Sequence, residues 1–355
     1  IGELGKEKGI DPELLFQAVE EALVTAYKKN FGSNQNVRVD MNKVTGELHI
    51  YAQRHIVAEV GDDPNEISLE EARKIDPRYE VDDIVETEVT PRNFGRIAAQ
   101  NAKQVVVQRI REAERGMVFE KFSSRENDIV TGIIQRMENK NVYIDLGKAE
   151  AILTPNEQIP GEIYQYHDRM KTYIVEVKKT SKGPQIMVSR THPGLLKRLF
   201  ELEVPEIHDG LVEIKSVARE PGMRSKISVY TKDENIDPVG ACVGHKGMRV
   251  QTIVNELRGE KIDIVKYSSE PDQYVANALS PAKVVSTEVL EEEKICRVIV
   301  PDYQLSLAIG KEGQNARLAA KLTGWKIDIK SESQAAEEAE QGAQEVGVAY
   351  EADED

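Results

Sequence analysis

The 355-residue sequence has only two cysteines, Cys242 and Cys296, which excludes a disulfide framework and fits a reducing compartment, so a cytoplasmic protein is expected. It has no apolar run near the roughly 18–20 residues of a membrane span, so no membrane association is expected. Its first residues, IGELGKEKGIDPELL, lack both a hydrophobic signal core and a starting Met, which points to a few trimmed residues. A GxxxxGK(S/T) phosphate loop is missing, as is GxGxxG after a strand, so nucleotide hydrolysis and dinucleotide chemistry have no support. The six histidines (His49, His55, His167, His192, His208 and His245) are dispersed, with no HExxH or CxxC companion. Neither a metal nor another cofactor is expected. Cys242 and Cys296 fall on apolar stretches and read as small buried residues rather than nucleophiles, and Glu291-Glu292-Glu293 reads as a solvated hairpin turn. With no catalytic constellation left, the chain is not expected to be an enzyme.

Basic residues are missing from one place in particular: after Lys330 there is no Lys or Arg, and the last 24 residues carry nine acids. Without those nine, the net charge of −15 falls to −6 for the remainder, so the acidity is partly a property of residues 332–355. That stretch has few large apolar residues and is expected to be a disordered acidic tail that would mildly oppose the binding of any polyanion.

Hydrophobic residues at 40% and charged residues at 31% describe an ordinary soluble chain, long enough for two to four domains. Residues 1–123 open with a helix signalled by Asp11-Pro12 and by Leu14, Leu15, Ala18, Val19, Ala22, Leu23 and Ala26 at helical spacing. Two strands, NVRVDMN and ELHIYAQRHIVAEV, flank a turn at Thr45-Gly46. A second long helix is predicted from Asn93 to Arg115, with Ile97, Val105, Val106 and Ile110 as its apolar stripe. Its other face carries Arg96, Lys103, Arg109, Arg111 and Arg115, either as a solvated surface or as a contact surface for RNA or a partner.

Over residues 124–191 the apolar period switches to two. DIVTGIIQRM, NVYIDLG, AEAILTP, TYIVEVKK and QIMVSR are five strand-length runs, which suits a five-stranded OB-type β-barrel, a platform for single-stranded nucleic acid. Tyr143, Tyr164, Tyr166 and His167 either stack on bases there or fill the barrel.

GxxG occurs three times, and with 24 glycines chance alone supplies a match or two. GELG at Gly2–Gly5 has no matching flank and is set aside. GHKG (Gly244, His245, Lys246, Gly247) and GKEG (Gly310, Lys311, Glu312, Gly313) lie inside a longer repeat. DPVGACVGHKGMRVQTIVNELRGEKIDI aligns with YQLSLAIGKEGQNARLAAKLTGWKIDI, with the glycines 66 residues apart and the closing K-I-D-I strings 65 apart. Each copy reads as two strands, a short helix, the GxxG turn, a longer helix and a closing strand. This is the bacterial (type II) KH arrangement, whose loop clamps the RNA backbone. Terminal glycines let the backbone approach a phosphate, and the loop feeds a helix N-terminus whose free N–H groups and dipole favour an anion. Lys246 and Lys311 add charge within the loops, while Arg249, Gln314 and Arg317 follow them on the helices. Acids and bases are even at thirteen each over 237–330, so any RNA track must be a stripe on one face. The predicted fold is therefore α+β and multidomain. It has a helical/β N-terminal domain (1–123), the barrel (124–191), two tandem KH domains (192–268 and 269–331) and the acidic tail (332–355).

With IDPVGACVG and AIGKEGQNARLAAKLTGW inside that order of modules, the sequence resembles the NusA family of bacterial transcription termination/antitermination factors over residues 1 to about 331. The resemblance implies RNA polymerase as a partner of the N-terminal domain, with the helix bearing Arg96, Lys103, Arg109 and Arg111 on the polymerase-facing module. It also implies single-stranded nascent RNA along the barrel and both KH loops. Other Nus factors are expected to join in antitermination, with the protein itself a monomer. Some family members carry further repeats after the second KH domain, where this sequence has its acidic stretch. Glu312 subtracts charge from the second loop, which is expected to grip RNA less firmly than the first. The modules alone also allow a ribosome-associated protein or an RNA-processing enzyme. In phosphorolytic exoribonucleases, however, catalytic domains come first and the barrel last.

Overall fold

A computed structural model describes residues 10–31, 34–338 and 340. GELG at Gly2–Gly5 and most of the acidic tail, 341–355, lie outside the described residues. The chain divides into two compact units, Ile1–Glu120 and Lys121–Asp355.

In the first unit, helix α1 (Pro12–Phe31) begins where Asp11 accepts the Glu13 amide at 2.9 Å, and it buries Leu15, Ala18, Val19, Leu23 and Ala26. Leu14, expected on that face, is 61% exposed. Strands β1 (Asn36–Met41) and β2 (Leu48–Val57) pair antiparallel across the turn at Gly46, which takes φ +77. Strand β3 (Glu66–Ser68), helix α2 (Leu69–Ile75) and strand β4 (Ile84–Glu88) lie outside the predicted elements; both strands pair with β2. Their start signal was readable, since Ser68 caps the Glu71 amide in an S-x-x-E pattern. Helix α3 (Phe94–Ser123) runs eight residues past the predicted end, because Gly116 keeps helical backbone rather than stopping it. Ala98 and Val106 are buried on its inner face against Val19, Leu23, Val39 and Ile50, with Ile97, Val105 and Ile110 beside them.

The second unit begins with the expected barrel: β5 (Ile129–Glu138), β6 (Asn141–Asp145), β7 (Glu150–Leu153), β8 (Arg169–Thr180) and β9 (Gly183–Ser189) close in the order β5-β6-β7-β9-β8. Gly132 makes the tight coiling of β5 possible, since a Cβ there would meet Ile144 Cγ2 at 2.4 Å and the Asp145 carbonyl at 2.7 Å.

The chain between the barrel and the first KH strands, and between the two KH repeats, is largely helical. Helix α4 (Pro193–Glu203), with short α5 (Pro205–His208), places Leu195, Leu196, Leu199 and Phe200 in the first KH core. Both α4 and α8 (Pro271–Ala278) start on a proline at the first turn, a position that suits its fixed φ.

The first KH fold continues through β10 (Glu213–Glu220), β11 (Arg224–Tyr230), α6 (Pro238–Val243), α7 (Met248–Glu256) and β12 (Lys261–Lys266). The second runs from α8 through β13 (Ser286–Leu290), β14 (Ile295–Val300), α9 (Leu305–Ile309), α10 (Gln314–Thr323) and β15 (Lys326–Ser331). The order of elements is the one that the repeat predicted, and in both copies the first two strands are antiparallel and the third adds parallel to the second.

The three modules of this unit share their interiors. Ile129 and Tyr173 of the barrel belong to the core of the first KH fold, and Ala218 and Val265 of the first KH fold belong to that of the second. Buried cations bond backbone carbonyls across the same boundaries. Arg190, 1% exposed, bonds Glu162 and also the carbonyls of Lys171 and Glu256 at 2.8 and 2.9 Å. Lys226, fully buried, bonds Asp263 at 2.9 Å and the Ser280 carbonyl at 2.8 Å.

The acidic stretch was expected to be disordered from residue 332, yet residues 332–338 are helical. Ser331 and Gln334 form a reciprocal capping box, with Ser331 N to Gln334 Oε1 at 3.1 Å and Gln334 N to Ser331 Oγ at 3.3 Å, an S-x-x-Q signal present in the sequence.

Candidate nucleic-acid interface

Each GxxG loop joins two helices with little slack. Asp237 caps α6 through the Val239 amide at 3.1 Å, and α6 ends at Val243. Gly244 then takes φ 74, ψ 177, Lys246 φ 51, ψ 28, and Gly247 φ 77, ψ 12. In the second loop Gly310 takes φ 77, ψ 171, Glu312 φ 53, ψ 28, and Gly313 φ 72, ψ 16. In both, the amide of the second glycine returns to the carbonyl of the first at 3.1 Å. Neither following helix has a side-chain N-cap; the Met248 and Gln314 amides bond the His245 and Lys311 carbonyls, and the positive end of each helix dipole beyond them favours an anion.

The glycines have separate jobs. A Cβ on Gly244 would lie 2.6 Å from Arg249 Cγ, and one on Gly310 would lie 2.8 Å from Asn315 Cβ and N, so the first glycine is required by close packing. Around Gly247 nothing lies within 4 Å; there only the left-handed backbone is demanding. Gly247→Ala is therefore expected to destabilise the protein by about 1–2 kcal/mol. Gly310→Ala, which adds a backbone clash, is expected to cost more; thermal denaturation of the two variants, ranked in that order, checks the assignment.

His245, Lys246, Lys311 and Glu312 are exposed at the loop tips. Arg249 is not placed with them. Its Nη1 donates to the Ala241 carbonyl at 2.6 Å and to Glu206 at 2.9 Å, bracing the end of α6. Asn315, at the same place in the second repeat, donates to the Leu307 and Ala308 carbonyls at 3.4 and 3.0 Å. Gln314 and Arg317 flank the second loop, and both bond Glu220. A cavity of about 410 Å³ opens beside that loop, with Met223 and Leu307 as apolar walls and Lys261 and Lys311 as cations.

On the barrel, Tyr143 is half-buried on β6, with the Arg136 guanidinium 4.0 Å above its ring. Arg136 was not anticipated as its partner; β5–β6 pairing puts the two opposite each other. His167 is exposed at φ 68, and its amide bonds Ile134 on β5, the strand that carries Arg136. Tyr166 is 59% exposed, whereas Tyr164 is buried, donating to Glu162 at 2.7 Å and accepting the Ile159 amide at 3.0 Å. Burial pushes the Tyr164 hydroxyl pKa up, and the Glu162 carboxylate adds to the shift. Both cysteines are fully buried, which raises the Cys242 thiol to about 12 and the Cys296 thiol to about 11.

In the first unit, Arg96, Lys103, Arg109 and Arg111 are exposed along α3, and Arg109 pairs with Glu112 at 3.3 Å. Arg109 and Glu112 border a groove of about 360 Å³ between α1 and α3, floored by Leu14, Leu15 and Ala18. Among the described residues no group of His, Cys, Asp or Glu side chains could hold a metal, and no helix is long and apolar enough to cross a membrane.

Four family descriptions match the chain in order. They are the NusA N-terminal domain over residues 1–116, the S1 RNA-binding domain over 123–189, the NusA-like first KH domain over 190–267 and the NusA-like second KH domain over 271–337. Transcription termination/antitermination protein NusA of Halalkalibacterium halodurans is 66% identical over 334 residues, covering 94% of this chain and 87% of its own. The Bacillus subtilis protein of the same name is also 66% identical over 334 residues, covering 94% and 90%. The Thermus thermophilus protein is 42% identical over 335 residues, covering 91% and 87%. A solution structure of the N-terminal domain of NusA from Bacillus subtilis overlaps 32% of this chain and 90% of its own at 59% identity, with a TM-score of 0.29.

Proposed function

This chain belongs to the NusA family of transcription termination/antitermination proteins, and from that premise we propose that it rides on RNA polymerase and holds nascent RNA. In this reading it is a cytoplasmic, monomeric transcription factor without catalytic activity. It modulates pausing, intrinsic termination and, with other Nus factors, antitermination. Residues 1–123 serve as the polymerase-binding domain. Residues 124–191, 192–268 and 269–331 serve as barrel, first KH and second KH domains along one single-stranded RNA track.

The observation that carries the RNA reading is the pair of loops with the same backbone. Gly244–Gly247 and Gly310–Gly313 repeat each other's dihedrals within a few degrees and expose His245, Lys246 and Lys311 at their tips. Both open onto helix N-termini without a side-chain cap, where the helix dipole favours phosphate. Tyr143 and His167 extend the track onto the barrel, where an aromatic face can stack on a base. Arg317 and Gln314 lie beside the second loop, while Arg249 shapes the first loop from behind.

The polymerase reading rests on the family and on the exposed cations of α3. Immobilised full-length protein is expected to retain RNA polymerase and not ribosomes. Reversing the charge of Arg96, Lys103 and Arg111 together is expected to weaken that retention at least tenfold, since each charge-assisted contact is worth about 1.5–3 kcal/mol. Retention of polymerase at wild-type strength by the reversed protein removes this face from the contact. Capture of ribosomes in place of polymerase overturns the reading as a whole.

A further inference from the structure

Arg317 holds the place in the second KH fold that Gln251 holds in the first, by the 66-residue offset of the loops. Gln251 bonds along its own helix, to Asn255 at 2.9 Å. Arg317 makes a bridge instead. Its Nε donates to Glu220 Oε1 at 2.7 Å, and its Nη1 donates to the Glu312 carbonyl, inside the loop, at 3.1 Å. Glu220 is the last residue of β10, so it belongs to the first KH fold; its other oxygen accepts Gln314 Nε2 at 2.9 Å. One carboxylate of the first fold thus holds two side chains at the start of the second fold's RNA-facing helix.

The same comparison shows what the second loop lacks. Its third position is Glu312, where the first loop has Lys246 in the same left-handed backbone. Arg317 Nη1 lies 4.0 Å from where a Cβ on Gly313 would sit, and the side chain is 47% exposed. A cation is therefore present at the open side of the loop, supplied by the helix and pinned in place by the neighbouring fold.

We propose that Glu220 is a positioning residue for RNA binding: it holds Arg317 against the GKEG loop, so that Arg317 supplies the phosphate-facing cation that position 312 does not. This rests on the RNA-track reading above. Two effects of Glu220 oppose each other. Its charge repels phosphate, while its hydrogen bond fixes a long, flexible side chain before RNA arrives, which removes an ordering cost from binding. The geometry favours the second effect, because both carboxylate oxygens are occupied and the Glu220 side chain is only 17% exposed.

The test is fluorescence anisotropy of a dye-labelled, unstructured single-stranded RNA of mixed sequence, titrated with the full chain at several salt concentrations. Glu220→Gln is expected to weaken binding by about 2–10-fold, the range for one side chain that must be ordered on binding. Arg317→Ala is expected to weaken it at least as much, and to make the dependence of log affinity on log salt shallower by about 0.7, one single-strand phosphate contact. Adding Glu220→Gln to Arg317→Ala is expected to change nothing further. Arg317→Lys keeps the charge and leaves Glu220 untouched but cannot span Glu220 and the Glu312 carbonyl; it is expected to match Glu220→Gln, and it carries the test should the latter loosen the two folds. Glu220→Gln that binds as tightly as the wild type or tighter, or a loss that persists undiminished without Arg317, overturns the proposal. The double variant His245→Asp/Lys246→Asp separates the two levels. If it weakens binding and Glu220→Gln does not, only the positioning role falls; if neither does, the RNA track falls with it.

Discussion

Replacing His245 and Lys246 together by Asp is expected to lower affinity for single-stranded RNA by one to two orders of magnitude and to leave the fold intact. Both side chains are exposed. Lys246 sits at φ 51, a left-handed backbone that Asp adopts more readily than most residues, so the loop keeps its shape. A charge-assisted contact to phosphate contributes about 1.5–3 kcal/mol, and the introduced carboxylates add repulsion to its loss. Anisotropy with single-stranded RNA measures the change, thermal unfolding checks the fold, and retention of RNA polymerase should be unaltered. Wild-type RNA affinity in this variant takes the first loop out of the track. The equivalent change in the second loop, Lys311→Asp, is expected to have a smaller effect, because Glu312 already lowers the charge there and Arg317 supplies a cation from the helix.

The largest effect on stability is expected from Arg219→Ala. Arg219 Nε and Nη2 donate to Glu260 at 2.8 and 2.9 Å, and its Nη1 donates to the His192 carbonyl at 2.9 Å. The Arg219 and Glu260 side chains are both fully buried, and Glu260 also accepts from Ser225 Oγ and the Gly222 amide. Removing the arginine leaves a buried carboxylate without its cation, a change that typically costs about 3–5 kcal/mol. Burial alone would raise the pKa of Glu260, but the hydrogen bonds and charge of Arg219, with Ser225 and Gly222, hold it below the ordinary 4.5. The pair's contribution is therefore complete above about pH 4.5 and is lost as pH falls toward the lower folded value. In Arg219→Ala the sign reverses. Burial is then less opposed, the folded pKa rises, and protonation relieves the buried charge. The deficit measured by denaturant unfolding should shrink between pH 7 and pH 5, and an equal deficit at both values would show that Glu260 is not its source.

The elements that repeat or alternate could be read from residues alone. The barrel strands announced themselves by period-two runs, and the KH folds by two strings that agree from loop to closing strand. Charged side chains were harder to place. Lys246 and Arg249 are three residues apart in one basic stretch, yet one faces solvent and the other braces the Ala241 carbonyl. Only the partner of Arg249, Glu206, decides this, and it lies 43 residues away. The same holds for Arg190, Arg219 and Lys226, whose carboxylates come from distant segments. A count of charge along the chain treats them as surface. Tyr143 and Tyr164 looked equivalent until strand pairing set Arg136 over one and burial sequestered the other. Helices α4 and α8, absent from the sequence-based elements, did leave signals: a proline at the first turn of each and, in α4, apolar residues at helical spacing in Leu195, Leu196, Leu199 and Phe200. Their shortness concealed them.

Barrel and KH modules have borders along the sequence that free energy does not respect. Ile129 and Tyr173 are barrel residues seated in the interior of the first KH fold, and Ala218 and Val265 do the same for the second. Cutting the chain at either border would bare apolar surface on both sides and take from Arg190 the Glu256 carbonyl, or from Lys226 the Ser280 carbonyl, that it bonds across that border. Three inherited modules therefore behave as one thermodynamic object. An insertion tolerated between independent domains would act here as a core mutation.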